Sequence, residues 1–148
     1  MEKLDKAKLS TTPEQKFACK LSSSGKVKWW YKNGDSGRDN FAIPYKENGT
    51  LREFFVDFIV KFSNGEIGIF DTKSGQSLTD DKTTAKAKGL AKYIVKENKS
   101  RKKNEQLIGG IVANTDDTNQ TGKFKYNLDA KKPFDQTKVN SKWTDVPI

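Results

Sequence analysis

Hydrophobic positions change period several times along this chain, and each change marks an element. Residues 1–11 are charged and polar, which predicts a flexible N-terminal segment. Thr12-Pro13-Glu14 then reads as a helix start, with Thr12 as N-cap, Pro13 in the first turn and an acid near the positive end of the dipole. Phe17, Ala18 and Leu21 follow at helical spacing, and Ser22-Ser23-Ser24-Gly25 ends the run. Lone Cys19 sits in this apolar pattern and is expected to be a small core residue.

Residues 27–31 are rich in β-formers and predict a strand, followed by the turn-like Asn33-Gly34-Asp35-Ser36-Gly37. A second strand is expected over 41–46, closed by the hairpin signal Asn48-Gly49, and a third over 51–62. Ser63-Asn64-Gly65 predicts a further hairpin onto residues 66–73, where Ile67-Gly68-Ile69-Phe70 is apolar on both faces, as in the centre of a sheet. From about 79 to 98 the period becomes helical, with Ala87, Leu90, Ala91 and Ile94 on one face. A short apolar run at 106–112 predicts another central strand, and 123–128 an edge strand. The order α-β-β-β-β-α-β predicts an α/β (α+β) domain over residues 12–128, its first four strands running as a meander. Residues 129–148 read as an irregular C-terminal segment packed on that domain, with Phe134 and Trp143 as anchors.

Composition narrows the chemistry. The 148 residues hold no histidine and one cysteine, so Ser-His and Cys-His couples, an internal disulfide and Cys-rich zinc sites are all excluded. Any catalysis must use carboxylates, lysine, tyrosine, hydroxyls or a hard cation. The net charge is +9, with two thirds of that surplus in residues 75–148. Such a surplus favours polyanionic partners, nucleic acid ahead of a membrane surface. With no apolar run near the roughly 18 residues of a membrane span, the expectation is a cytoplasmic protein with no membrane partner.

One constellation carries chemistry. Asp57 and Asp71 each put an acid into an otherwise apolar strand pattern. Each lies six residues from the ends of the Ser63-Asn64-Gly65 turn, so antiparallel pairing can set them side by side. Two facing carboxylates repel and lose solvation, and a divalent cation relieves both penalties. Mg²⁺ suits such a pair, with Mn²⁺ as a substitute. Lys73 lies two residues beyond Asp71, hence on the same face. There it can orient and help deprotonate a water, or stabilise charge on a phosphoryl group. The bland alternative is a solvated Asp-Lys pair of little energetic value.

Val56-Asp57 followed by Asp71-Thr72-Lys73 on hairpin strands resembles the PD-(D/E)XK nuclease superfamily. The chain is most similar to the C-terminal endonuclease domains of type III restriction enzyme Res subunits and related helicase-linked restriction proteins. The resemblance runs from residue 13 to about 113. It takes in the early helix with Glu14, the Trp-rich strand Val27-Lys28-Trp29-Trp30-Tyr31, the strand Phe41-Ala42-Ile43-Pro44-Tyr45, the two acid-bearing strands, a basic helix, and Leu107-Ile108-Gly109-Gly110-Ile111-Val112. It implies a restriction-endonuclease-like core, a central mixed sheet of four to six strands flanked by helices. It further implies that Asp57, Asp71 and the Thr72 carbonyl bind the metal, that Lys73 is the catalytic lysine, and that Glu14 lines the site from the first helix. Val56 stands where the motif has proline. The implied function is a Mg²⁺-dependent DNA endonuclease, the cleavage domain of a larger restriction enzyme or helicase-nuclease. An ATP-dependent motor would lie elsewhere in the polypeptide or complex, and a dimer would serve double-strand cleavage. The alternative is a non-catalytic, basic nucleic-acid-binding module whose acids are structural.

The second helix supports either reading. Residues 82–103 carry nine basic residues and one acid, Glu97. Lys82, Lys86, Lys92 and Lys96 fall roughly opposite its apolar face and are candidate DNA contacts, Lys86 being the one best placed to reach the acids. A charge run can equally be a solvated face. Of Trp29 and Trp30, one must face each side of the sheet, one in the core and the other under a helix or near solvent. Stacking on an unpaired base is the alternative use of that second ring.

Overall fold

A computed structural model of the chain describes residues 13–34, 37, 40–73, 80–114, 124–127 and 143–148. Thr12, Phe134, residues 1–11 and most of the C-terminal segment lie outside the described residues. The chain is mixed α/β, with two α-helices and eight strands among the described residues. Helix α1 (Pro13–Ser23) leads into β1 (Val27–Lys32), β2 (Ile43–Glu47), β3 (Thr50–Phe54), β4 (Phe58–Phe62) and β5 (Ile67–Thr72). Helix α2 (Asp81–Asn98) follows, and after a short 3₁₀ turn come β6 (Leu107–Asn114), β7 (Phe124–Asn127) and β8 (Thr144–Asp145).

The six-stranded sheet has the order β1-β4-β5-β6-β7-β8, and β2 with β3 forms a separate two-stranded sheet. Only β5 and β6 pair in parallel, joined through α2. The sheet is therefore mixed, as expected, but the expected meander is replaced by a detour. The single strand expected over 51–62 is two strands in two sheets. Burial alternates without a break from Phe54 to Val60, so a period of two hides the change of partner. At the change the chain bends, and the Asn33 N–H donates to the Asp57 carbonyl at 2.9 Å. Two further expectations are corrected. The strand at 123–128 is not an edge, because β8 pairs on the outside of β7. Cys19 is exposed; α1 buries Phe17, Ala18 and Leu21, and at 100° per residue Cys19 lies on the far side.

Each face of the sheet has its own core. On one, α1 drops Phe17 among Phe58, Phe70 and Phe124, with ring centroids 5.1, 5.7 and 5.1 Å away in edge-to-face contact. On the other, Leu90 and Ile94 of α2 pack with Ile69, Leu107 and the inner side of the β2–β3 hairpin (Ile43, Tyr45, Phe54), together with Val56. Trp143 is buried with Ala87, Ile111 and Ala113. Two hairpin signals place these layers. Asn48 and Gly49 take φ of 50° and 80°, the primed turn that Asn-Gly encodes. Ser63-Asn64-Gly65 closes β4 on β5 with Phe58 opposite Phe70.

Candidate active site

The register that sets Phe58 opposite Phe70 sets Asp57 opposite Asp71, one step past the end of the ladder. The acids thus meet where β4 has not yet begun and β5 is ending. Asp71 is buried, 3% exposed, because it lies near the end of a central strand, between β4 and β6. Asp57 is half-buried, and its Oδ2 accepts from the Thr72 N–H at 2.8 Å and the Thr72 hydroxyl at 2.7 Å. The Lys73 N–H donates toward β6, to the Val112 carbonyl. Strand alternation therefore turns both the N–H and the C=O of Thr72 toward the Asp57 side.

The two carboxylates are in opposite electrostatic circumstances. Asp71 Oδ2 has no hydrogen-bond partner, although the Lys73 ammonium lies 3.2 Å from it. Burial, then the charge of Asp57, push the Asp71 carboxyl up to about 7 against an ordinary 3.8, opposed by Lys73 and Lys86. Burial pulls the Lys73 ammonium down, but Asp71, Asp57 and Glu14 outweigh it and its pKa is raised. Lys73 is therefore charged at neutral pH and serves as donor and counter-charge; this geometry does not favour the base role.

Glu14 arrives from the other face. On the first turn of α1 its carboxylate is 3.7 Å from Lys32 Nζ, which is 3.8 Å from Asp57 Oδ1. Burial, then Asp57, raise the Glu14 pKa, and Lys32 opposes them. Lys32 was not legible as a site residue. It ends β1 directly opposite Phe58 and covers that ring at 5.5 Å, a role only the strand register reveals. Asn33 was missed as well. It is buried, and its side chain clamps both the N–H and the C=O of Phe41 while its own N–H holds Asp57.

From α2, Lys86 rests over the Phe54 ring at 5.4 Å, and its pKa is lowered by burial, against the pull of Asp71. It borders the buried stripe of Thr83, Ala87, Leu90 and Ile94 rather than opposing it, which is why it reaches the acids. Lys82 is exposed, one turn earlier, and adds to the positive field at Lys86. Lys92 and Lys96 are exposed on the outer side of α2, with Lys96 about 15 Å along the helix from Lys86, and are not gathered with the acids. Among the described residues no group of three or more His, Cys, Asp or Glu is arranged to hold a metal. What is present is a carboxylate pair, one oxygen of it buried and paired only with the Lys73 ammonium, and a backbone carbonyl turned to the same side. That donor set fits a cation that takes one or two carboxylates and keeps its waters, as Mg²⁺ does.

Comparison with known proteins adds a family. A family model described as the YagJ family matches residues 5–131. The chain belongs to the YagJ family. No curated protein and no solved structure matches it. In this YagJ family member the matched span takes in every acid and lysine gathered at the site. Among the described residues, no helix is long and apolar enough to cross a membrane.

Proposed function

We propose that this protein is a Mg²⁺-dependent DNA endonuclease domain with a restriction-endonuclease-like core, hydrolysing phosphodiester bonds at the open end of the β4–β5 hairpin. The observation that carries the reading is Asp71: a carboxylate buried at the end of a central strand, facing a second acid and paired at Oδ2 only with the Lys73 ammonium. Asp57, Asp71 and the Thr72 carbonyl would hold the ion. Bound there, Mg²⁺ would polarise the phosphate and acidify a water. The remaining work falls to the chain's own residues. Thr72 fixes the Asp57 carboxylate, Lys73 places a positive charge beside Asp71, and Lys32 and Glu14 close the far side. Lys86 and Lys82 offer positive charge for the DNA backbone at the same end, with Lys92 and Lys96 extending that face. A cytoplasmic setting, a partner ATP-dependent motor and dimerisation for double-strand cleavage belong to the same proposal.

A second reading, a basic nucleic-acid-binding module without catalysis, draws on the two hydrogen bonds from Thr72 to Asp57, which suit a structural cap. Supercoiled plasmid separates the two. The endonuclease nicks it with Mg²⁺ or Mn²⁺, stops in EDTA, and loses the activity in Asp71→Asn. Nicking that survives Asp71→Asn unchanged, or salt-sensitive binding with neither nicking nor metal binding, contradicts the endonuclease reading.

A further inference from the structure

The aromatic residues of β1 raise a separate question. β1 is an edge of the sheet, and its sequence Val-Lys-Trp-Trp-Tyr-Lys contains no acid. Its register against β4 slips between Val27 and Trp29, so Lys28 is an extra, bulged residue. The bulge reverses the phase of the strand. Val27 and Trp30 both pack into the α1 core, whereas Trp29 and Tyr31 go to the opposite face. There they remain 44% and 47% exposed, two of the four large hydrophobic residues left in the open among the described residues. Bulges that re-aim side chains are frequent beside active sites.

We propose that Trp29 and Tyr31 form a stacking platform for unpaired bases, so that the site takes single-stranded nucleic acid or a melted strand. This rests on reading the Asp57–Asp71 site as one that acts on nucleic acid. Three placements support it. Residues two apart on a strand stand about 7 Å from each other, twice the roughly 3.4 Å step of a duplex, so bases resting on both rings are unstacked from one another. The platform also leads to the acids. Tyr31 faces Ile59, and Ile59 faces Ile69; the next step on that face of β4 and β5 is Asp57 and Asp71. Two strand spacings and one two-residue step put Tyr31 about 12 Å from Asp71 in a straight line. Ile69 between them is buried under α2 and the β2–β3 hairpin, so a strand resting on the rings would reach the acids around the end of β1 and not along that face. Lastly, the charge is right. Lys26 and Lys28 are exposed and flank Val27 and Trp29 in the chain. The Tyr31 hydroxyl donates to Asn40 Oδ1 at 3.2 Å, which steadies the ring without covering it.

The test is fluorescence anisotropy on the full chain in EDTA, where hydrolysis is silent. The probes are a short labelled oligodeoxythymidine, an oligouridine, and a hairpin duplex. Single strands should bind more tightly than the duplex, and Trp29→Ala and Tyr31→Ala should each weaken single-strand binding roughly 5- to 150-fold. Duplex binding should be unchanged, and Trp29→Phe should keep most of the affinity. The two single-stranded probes decide between DNA and RNA; either supports the platform. Wild-type affinity in correctly folded Trp29→Ala and Tyr31→Ala overturns it, as does an equal loss on single strands and duplex. A dimer that Trp29→Ala dissolves while oligonucleotide binding persists also overturns it, making the β1 edge a contact between two copies. A protein that stacks single strands but never nicks DNA loses the hydrolytic reading alone.

Discussion

The β4–β5 hairpin has two ends built from the same two strands, and they obey different rules. At the closed end the Gly65 N–H donates to the Phe62 carbonyl, Lys61 donates to the Gly65 carbonyl, and Phe62 is buried. Polar groups there are paired and apolar ones buried. At the open end, less than 20 Å away at a strand rise of about 3.4 Å, Asp71 is buried facing a second acid, with Lys73 as its one counter-charge at 3.2 Å, and its carboxyl is pushed up to about 7. A sequence selected for stability alone would not place an acid there, since burying a poorly paired charge is unfavourable. The contrast is what the proposed function rests on.

The comparison can be broken at either end. The largest effect is expected on activity: on the endonuclease reading Asp71 holds the ion and Lys73 supplies positive charge beside it, so Asp71→Asn or Lys73→Ala should lower metal-dependent nicking by at least about 100-fold. The matching loss on the stability side comes from Phe17→Ala. This leaves a cavity among Phe58, Phe70 and Phe124 and should cost about 3–5 kcal/mol in urea unfolding. Equal stability losses from Asp71→Asn and Phe17→Ala would erase the contrast.

A smaller effect has the opposite sign. The folded-state pKa of Asp71 is raised above its unfolded value, so the native state binds the extra proton. Its contribution to stability is fully present below about 3.8 and is lost as pH rises through about 7. In EDTA at pH 8, Asp71→Asn should therefore melt several degrees above wild type, at roughly 2–4 °C per kcal/mol, and the gap should close toward pH 4. A variant that melts lower at every pH would show Asp71 to be a structural acid. The smallest effect is expected from Thr72→Val, which removes the hydroxyl bond to Asp57 but keeps the backbone one, and should cost about 1 kcal/mol.

Much of this architecture was legible in the sequence because local chemistry agrees with it. Asn48-Gly49 and Ser63-Asn64-Gly65 encode their hairpins, the Phe17-Ala18-Leu21 spacing encodes α1, and the count of residues about the second turn places Asp57 opposite Asp71. What stayed hidden depends on partners distant in sequence. The alternation from Phe54 to Val60 is the same whether one strand or two carry it, so the detour through β2 and β3 could not be seen. Lys32 looks like an ordinary strand-end cation until β1 is set beside β4, and the bulge at Lys28 exists only in that pairing. Cys19 is a different case: the Phe17-Ala18-Leu21 spacing by itself turns it to the far side of α1, so its exposure follows from helical periodicity.

The central claim is that the Asp57–Asp71 pair is kept at the open end to take a divalent cation. A thermal melt at pH 8 with EDTA or Mn²⁺, on wild type and Asp71→Asn, tests it most directly. A native-state ligand at about 100 times its Kd adds roughly 2.7 kcal/mol, which for this chain is roughly 5–10 °C. The account predicts that rise in wild type and none in Asp71→Asn, which already melts higher in EDTA. No Mn²⁺ response in wild type, or the same response in both proteins, would contradict it.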